Sequence, residues 1–438
     1  MEYIWWVGYG ALVVAAIVQA FLLGLQTWEH RRYARSCMRA LQSRRPTGRV
    51  AVFAPCKGLD VDLEGNLRAL MAQDYPEFEV TFIIESADDP ACAIIRRVMG
   101  DFEHVAARLV VAGHAVESGQ KVHNLRMATA QLSPDLEYLA FLDSDARPRA
   151  EWLRMLVAGA SRQGLGAVTG YRWFVPMAPT LANHALYSLN CDIMTLLGHS
   201  SHYLVWGGSW AIRRELFDRL GFRAAWKGTL SDDLVASRLL RNAGMPVRFE
   251  PAGVVASPTN HRWLSMISFV RRQYLVGRYY VPHWWTFALF GATLTNLLWL
   301  VHVAVAVWGL KGGPIAPYIA TTVLAVLYAM YAYRGYLRQD LIATYFPERS
   351  EQLRLARLFD IWLNPLGGLV NWLAVAASVF GRHITWRGIS YRVLAGGKVR
   401  AVRRLEPEIV AIAFPPGKPT PATSARPQPP PSDLKQAG

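Results

Sequence analysis

Cysteine is scarce: Cys37, Cys56, Cys92 and Cys191 are the four in a chain of 438 residues, and no two form a Cys-x-x-Cys pair. Such scatter argues against a disulfide framework and a thiolate metal site, and it suits a reducing compartment. A basic residue ahead of the first apolar run is also missing. Only Glu2 precedes that run and no small-residue cleavage site follows it, so a cleaved leader is not expected. There is no internal repeat. The formal net charge is +15, yet no aromatic-interleaved basic stripe accompanies it, and no nucleic acid partner is expected. The lysines and arginines flank apolar runs instead, where anionic lipid headgroups of a membrane would meet them. Large apolar side chains almost vanish from residue 414 on, and 414–438, rich in proline, serine and alanine, is expected to be a disordered tail.

What the chain has in excess is apolar residues, 52% of the total, and their placement decides their meaning. Residues 4–26 carry no charge. At about 1.5 Å rise per residue they reach across a hydrocarbon core of roughly 30 Å, so 1–28 is expected to be an N-terminal transmembrane anchor. Arg31, Arg32, Arg35, Arg39, Arg44, Arg45 and Arg49 follow it and, by the positive-inside bias, face the cytoplasm. Two further runs, 285–308 and 315–333, flank Lys311-Gly312-Gly313-Pro314, so 285–334 reads as a transmembrane hairpin leading to a charged cytosolic loop, 335–360. Segment 361–381 is interrupted by Asn364-Pro365-Leu366-Gly367-Gly368 and reads as re-entrant or transmembrane. Re-entry is favoured, because a crossing would put the basic C-terminal segment, 382–413, outside. The expectation is an integral membrane protein with its globular domain in the cytoplasm, at the inner (plasma) membrane if the source is bacterial.

Residues 29–260 have the composition of that globular domain. Apolar runs at 50–54, 78–84, 107–111 and 138–142 alternate with helical patterns at 63–73, 89–99 and 122–132. This β-α-β-α-β-α-β order predicts an α/β fold, a parallel sheet with crossover helices. Ligands of such sheets bind beyond the carboxyl ends of the strands. Three polar clusters fall there: Pro55-Cys56-Lys57-Gly58, Glu85 to Asp89, and Asp143-Ser144-Asp145. In the last, period-two alternation turns both carboxylates to one side, and the pair can hold Mg²⁺ or Mn²⁺ with phosphate oxygens in its shell. Aspartates also serve turns and helix caps, so the spacing alone does not decide.

The stretches APCKGLDVDLEGNLRALMAQDYPEFEV, IESADDPA, GQKVHNLRMA, FLDSDARPRAEWL, VWGGSWAIRR and TLSDDLVASRLL succeed one another over residues 50–240. In that order they resemble the inverting family 2 glycosyltransferases and, within them, the ceramide glucosyltransferase group. The resemblance implies a nucleotide-sugar-binding GT-A-type sheet with transmembrane helices at both ends, a divalent cation (Mn or Mg), and direct displacement at the anomeric carbon. Asp143 and Asp145 match the metal and diphosphate motif. Asp88 matches the aspartate associated with the donor nucleotide, while Glu85, Asp88 and Asp89 all stay open for the uracil or ribose contact. Pro55 and Lys57 at the first strand end, and Lys121 with Asn124 beside it, are further donor-binding candidates. Gly207 and Gly208 permit close ligand approach and suggest a donor-sugar or acceptor pocket. Asp233 resembles the catalytic base, which the acceptor hydroxyl requires as it attacks; Asp232 would assist or position.

The chain departs from the family at 269–280, FVRRQYLVGRYY, where many members carry Q/R-x-x-R-W on an amphipathic helix leading to the membrane. Within 261–284, read as that interfacial helix, Arg271, Arg272 and Gln273 remain as candidates to hold the leaving diphosphate. Trp386-Arg387-Gly388 with Tyr391-Arg392 resembles a terminal motif of related lipid glycosyltransferases and is read as an interfacial aromatic-basic anchor. The implied activity is transfer of a hexose, glucose favoured, from a UDP-sugar to a membrane lipid hydroxyl, ceramide-like favoured. Hopanoid, diacylglycerol or polyprenyl phosphate acceptors, a polysaccharide synthase and a non-enzymatic nucleotide-sugar-binding scaffold are the alternatives. The sequence carries no signal of oligomeric state.

Overall fold

A computed structural model describes residues 2–405, apart from 42, 201 and 310–312. The tail 414–438, part of 382–413, and Lys311 and Gly312 of the hairpin break lie outside the described residues. The long helix α1 (Glu2–Arg39) leads into β1 (Arg49–Pro55), α2 (Leu63–Met71), β2 (Phe78–Ile84), α3 (Ala91–Asp101), β3 (Ala106–Val111), α4 (Gln120–Ala128) and β4 (Leu136–Leu142). These four strands pair in parallel, in the order β3-β2-β1-β4. Alternation along β1 shows why an uninterrupted apolar run forms a central strand. Val50, Val52 and Ala54 pack with Leu67, Ile95 and Trp152 on one face, and Ala51 and Phe53 with Val122, Leu125 and Phe141 on the other. A sheet covered by helices on both faces needs apolar side chains at every position.

The sheet continues through segments that the sequence reading did not assign: α5 (Trp152–Ala160), β5 (Ala167–Pro176), α6 (Leu181–Met194), β6 (Ser209–Arg213), α7 (Arg214–Arg219), α8 (Phe222–Trp226), α9 (Asp232–Asn242) and β7 (Val247–Thr259). β6 lies antiparallel between β4 and β5, giving the full order β3-β2-β1-β4-β6-β5-β7. At that change of direction Phe141 and Trp210 are register partners, and their rings stack at 4.2 Å. Phe217, Phe222 and Trp226 close the same cluster.

Beyond β7 come α10 (Trp263–Tyr280), α11 (Pro282–Trp308), α12 (Ala316–Asp340), α13 (Ile342–Tyr345), α14 (Arg354–Trp362) and α15 (Asn364–Ala377). Three helices, Tyr3–Arg39, Pro282–Trp308 and Ala316–Tyr345, are long and apolar enough to cross a membrane. α1, α11 and α12 meet through Ala16, Ala20, Leu298, Val323 and Leu327. The interruption at Asn364-Pro365 is a bend of 82° between α14 and α15, with the proline in the first turn of α15, where its missing N–H costs nothing.

A buried ionic joint ties α12 to the sheet domain. Arg338 of α12 meets Asp360 of α14 at 3.0 Å and Asp192 of α6 at 2.8 Å. Ser188, Gln339 and Asn364 donate further hydrogen bonds to Asp360, and Arg334 pairs with Asp192 at 2.9 Å.

The chain then turns back. β8 (His383–Trp386), β9 (Ile389–Val393) and β10 (Val399–Arg404) form a small antiparallel sheet. Ile384, Ile389, Tyr391 and Val393 join the core that holds Val122 and Trp226. The Val399 N–H donates to the Gly228 carbonyl at 2.8 Å, and the Tyr280 hydroxyl accepts from the Leu230 N–H at 2.7 Å while donating to the Gly397 carbonyl at 2.5 Å.

Candidate active site

The carboxyl ends of β1, β2 and β4 and the start of α9 converge. α9 begins at Asp232 because Ser231 caps it, its hydroxyl accepting from the Leu234 N–H at 3.2 Å. Lys121, in the first turn of α4, is the hub. Its Nζ lies 2.8 Å from Asp143 Oδ1, 3.1 Å from Asp232 Oδ1 and 3.3 Å from the Gly207 carbonyl. Asp233 accepts the Gly207 N–H on Oδ2 at 2.9 Å, and on Oδ1 the Ser231 hydroxyl and the Leu234 N–H. Two distant stretches of the chain, one carrying Asp143 and the other the adjacent Asp232 and Asp233, thus meet around one ammonium group. Glycine is needed where they meet. A Cβ on Gly207 would stand 2.9 Å from Lys121 Nζ and 3.0 Å from Oδ2 of both Asp232 and Asp233; one on Gly208 would stand 2.8 Å from Asp143 Oδ2 and run into the Trp206 ring.

Burial shapes the charges here. It pushes the Asp232 carboxyl up to about 7, against the pull of Lys121 and with the help of Asp233 and Asp143. Burial acts on Asp143 in the same sense, but Lys121 and Arg172 outweigh it and hold that carboxyl below its usual range. For Lys121 burial favours the neutral amine, and the three carboxylates reverse this and raise its pKa.

Among the described residues Asp145 makes no ion pair with Lys121. Its Oδ2 lies 3.6 Å from Arg172, and its Oδ1 is buried without a hydrogen-bond partner, as is Asp232 Oδ2. Arg172 covers the Trp206 ring at 4.7 Å. Next to Asp145, the Ser144 hydroxyl donates to Asp60 Oδ2 at 2.6 Å, and Arg387 pairs with Asp60 Oδ1 at 2.5 Å while donating to the Lys57 carbonyl. A cleft of about 510 Å³ opens here, lined among others by Lys57, Asp60, Glu85, Asp88, Asp89 and Arg387.

The three acids left open for the nucleotide contact differ in their engagement. Glu85 is paired with Lys57 and held in a fork by Arg404 at 3.1 and 3.2 Å; burial raises its pKa, but the two cations outweigh it and hold the carboxyl below its usual range. Asp89 accepts the N–H groups of Gly58 and Ala91, both at 2.9 Å. Among the described residues Asp88 bonds only Ser86 of its own turn, at 3.3 Å, which leaves its carboxylate open to the cleft.

Other candidates scatter. Pro55 ends β1 in register with Ile83, two residues short of the cleft. Asn124 accepts from Gln120 at 2.7 Å and supports it beneath Arg404. Arg271 donates to the Ala377 and Phe380 carbonyls at 2.9 and 2.6 Å, so it caps α15 and is not brought to the cluster. Gln273 is exposed, with no side-chain hydrogen bond among the described residues. Arg272 does approach: it lies over the Trp386 ring at 5.7 Å, and burial, reinforced by Arg172 and Arg387, lowers its pKa to about 10.

The sequence reading missed Asp60, Arg172, Arg387 and Arg404. Asp60 lies in the stretch that begins at Ala54, one of those that carry the family resemblance, but Arg172 and Arg404 carry no local signal. The reading of Trp386-Arg387-Gly388 as an interfacial anchor is corrected: the β8–β9 turn directs Arg387 into the cleft, where Asp60 neutralises it. Of the Asp-x-Asp pair, Asp143 is ion-paired to Lys121, and no group of three His, Cys, Asp or Glu side chains able to enclose a metal ion occurs among the described residues.

A mixed α/β sheet gathers acids and bases at the ends of its parallel strands, where such sheets bind ligands, and is joined to helices long and apolar enough to cross a membrane. The profile of glycosyl transferase family 21 matches residues 11–399, nearly the whole chain, and the protein belongs to that family. This bears out the resemblance to the ceramide glucosyltransferase group. Among curated proteins, ceramide glucosyltransferase 3 of Caenorhabditis elegans is 28% identical over 208 residues, 44% of this chain and 43% of that protein. The ceramide glucosyltransferase of Komagataella phaffii is 34% identical over 61 residues, 14% of this chain and 12% of that protein. The matches therefore span less than half the length of these relatives. Among solved structures, a mannosyltransferase of Pyrobaculum calidifontis in complex with GDP-Man and Mn²⁺ is 20% identical, with a TM-score of 0.41 over 83% of this chain and 98% of that one. Glucosyl-3-phosphoglycerate synthase of Mycobacterium tuberculosis, in complex with Mn²⁺, UDP and phosphoglyceric acid, is 15% identical, with a TM-score of 0.34 over 54% of this chain and 79% of that one.

Proposed function

We propose that the protein transfers a hexose, glucose favoured, from a UDP-sugar to the hydroxyl of a ceramide-like membrane lipid with inversion at the anomeric carbon. The observation that carries this reading is the meeting of Asp143, Asp232 and Asp233 around Lys121 and Gly207, beside a cleft at the strand ends. The cleft takes the sugar nucleotide, with Asp88 at its nucleoside end. Asp145 Oδ1, a buried oxygen without a donor, and the neighbouring Asp143 form a hard donor pair that fits Mn²⁺ or Mg²⁺. When bound, the cation offsets charge on the departing diphosphate.

The chain's own groups supply the rest. The acceptor oxygen bonds to the anomeric carbon as the bond from that carbon to the diphosphate oxygen breaks with its electron pair, and the hydroxyl proton passes to Asp233. Hydrogen bonds from Gly207, Ser231 and Leu234 hold that carboxylate in one orientation. Lys121 fixes Asp143 and Asp232 relative to each other, so donor and acceptor sides keep their spacing. A lipid acceptor is supported by α10, which carries Arg272 near the cluster and passes through Val281 straight into the apolar helix α11. The test is the purified protein in detergent with Mn²⁺, labelled UDP-sugars and a panel of ceramide, hopanoid, diacylglycerol and polyprenyl phosphate. One discrete glycolipid is expected. A ladder of polymer would point to a polysaccharide synthase, and nucleotide binding without UDP release to a scaffold.

A further inference from the structure

The β8–β9 connection is a two-residue hairpin turn, with Trp386 paired to Ile389 and both Arg387 (φ 48°) and Gly388 (φ 74°) in the left-handed region. Glycine enters that region freely, but an arginine does so only against steric cost, which surrounding contacts must outweigh. The contacts are there. Arg387 pairs with Asp60, donates to the Lys57 carbonyl and lines the cleft. Behind it, β10 is latched across the same opening by the fork of Arg404 on Glu85. Arg172 and Arg272 approach Asp145 without lining the cleft, and Arg271 caps α15. α10 has no Arg-Trp pair to offer. Among the described residues Arg387 is therefore the arginine that lines the cleft, its charge acts on both Asp145 and Asp143, and it is carried by a sheet that nothing in the sequence reading tied to the donor.

We propose that Arg387 binds the donor's diphosphate. Asp60 is the partner that holds it in the absence of nucleotide, and the C-terminal sheet is one wall of the donor site. Planar, bidentate recognition of phosphate oxygens is what a guanidinium presented on a rigid turn provides. This inference rests on the sugar-nucleotide reading above, and the test separates the two.

Titration calorimetry of the full chain in detergent, with a chelator present to exclude divalent cations, compares UDP with uridine. For the unmodified protein UDP binds more tightly than uridine. Arg387→Ala is expected to weaken UDP on the order of 10- to 100-fold, the loss of a charge-assisted hydrogen bond, while leaving uridine unchanged. Added guanidinium ion should restore part of the UDP affinity. Arg387→Lys, which keeps the charge and loses the fork, should fall between the two and serves as the deciding variant if the alanine form does not fold. Equal UDP affinity in the unmodified and substituted proteins overturns the proposal, and so does a parallel loss of UDP and uridine, which would mark a merely structural residue. An unmodified protein that binds neither compound, with the chelator or with Mn²⁺ in its place, removes the sugar-nucleotide reading itself, and this inference with it.

Discussion

The joint between α6, α12 and α14 and the cluster around Lys121 are built from the same materials, buried carboxylates facing buried cations, and they differ in how fully those groups are satisfied. At the joint every guanidinium nitrogen of Arg338 has an acceptor, and both oxygens of Asp360 receive donors. At the strand ends, Asp145 Oδ1 and Asp232 Oδ2 are buried with none. An unpaired buried oxygen costs about 1–3 kcal/mol, a cost that a bound ion, water or ligand can offset. Ionisable residues on an apolar helix usually signal function. Here the matched ion pairs on α12 read as a fastening, and the unmatched carboxylates at the strand ends as the proposed workplace.

Four substitutions or titrations bear on that contrast, from the largest effect to the smallest. Asp233→Asn should lower kcat by roughly 10²- to 10⁴-fold, the usual worth of a general base, with UDP binding and unfolding temperature unchanged. Unchanged turnover would take Asp233 out of the role of base. Arg338→Met should do the opposite. Leaving Asp360 buried without its cation costs about 3–5 kcal/mol, seen as a fall in unfolding temperature, while turnover per folded molecule holds. Lost turnover at full stability would erase the distinction between joint and workplace. Gly207→Ala presses a methyl group against Lys121, Asp232 and Asp233, and a displacement of that kind should cost about 10²-fold in kcat with little change in thermal stability. The smallest effect is a titration. Asp232, raised from its ordinary 3.8 to about 7, is neutral below that point and charged above it. If the charged form is what holds Lys121, log kcat/KM should rise with pH up to about 7 and then level, and Asp232→Asn should flatten the rise. In stability the sign is reversed: a carboxyl whose pKa rises on folding stabilises at low pH, and that contribution is lost as pH climbs through about 7.

What the sequence disclosed follows from how far each signal reaches. The apolar runs at 50–54, 78–84 and 138–142 lie within β1, β2 and β4, because strands buried on both faces announce themselves locally. Asp143, Asp233, Lys121 and the two glycines were found through motifs, and they do meet. β5, β6 and β7 went unassigned: β6 is five residues long and antiparallel between its neighbours, and nothing in Ser209–Arg213 says so. The hairpin at Trp386 reads as an anchor because aromatic and basic neighbours suit a bilayer surface equally well. Its partners are Asp60 and, through Arg404, Glu85, separated from them by 327 and 319 positions along the chain. Periodicity does not carry over that distance; only the folded geometry does.

The small sheet of β8, β9 and β10 also sets an order of events during synthesis. A ribosome must release some four hundred residues, the apolar helices α1, α11 and α12 among them, before Arg387 arrives to line the cleft and Arg404 to pair with Glu85 at its edge. A nascent chain halted earlier would display its aspartates on an open ledge, so whatever the finished protein binds there, its half-made precursors have no enclosed place to hold it.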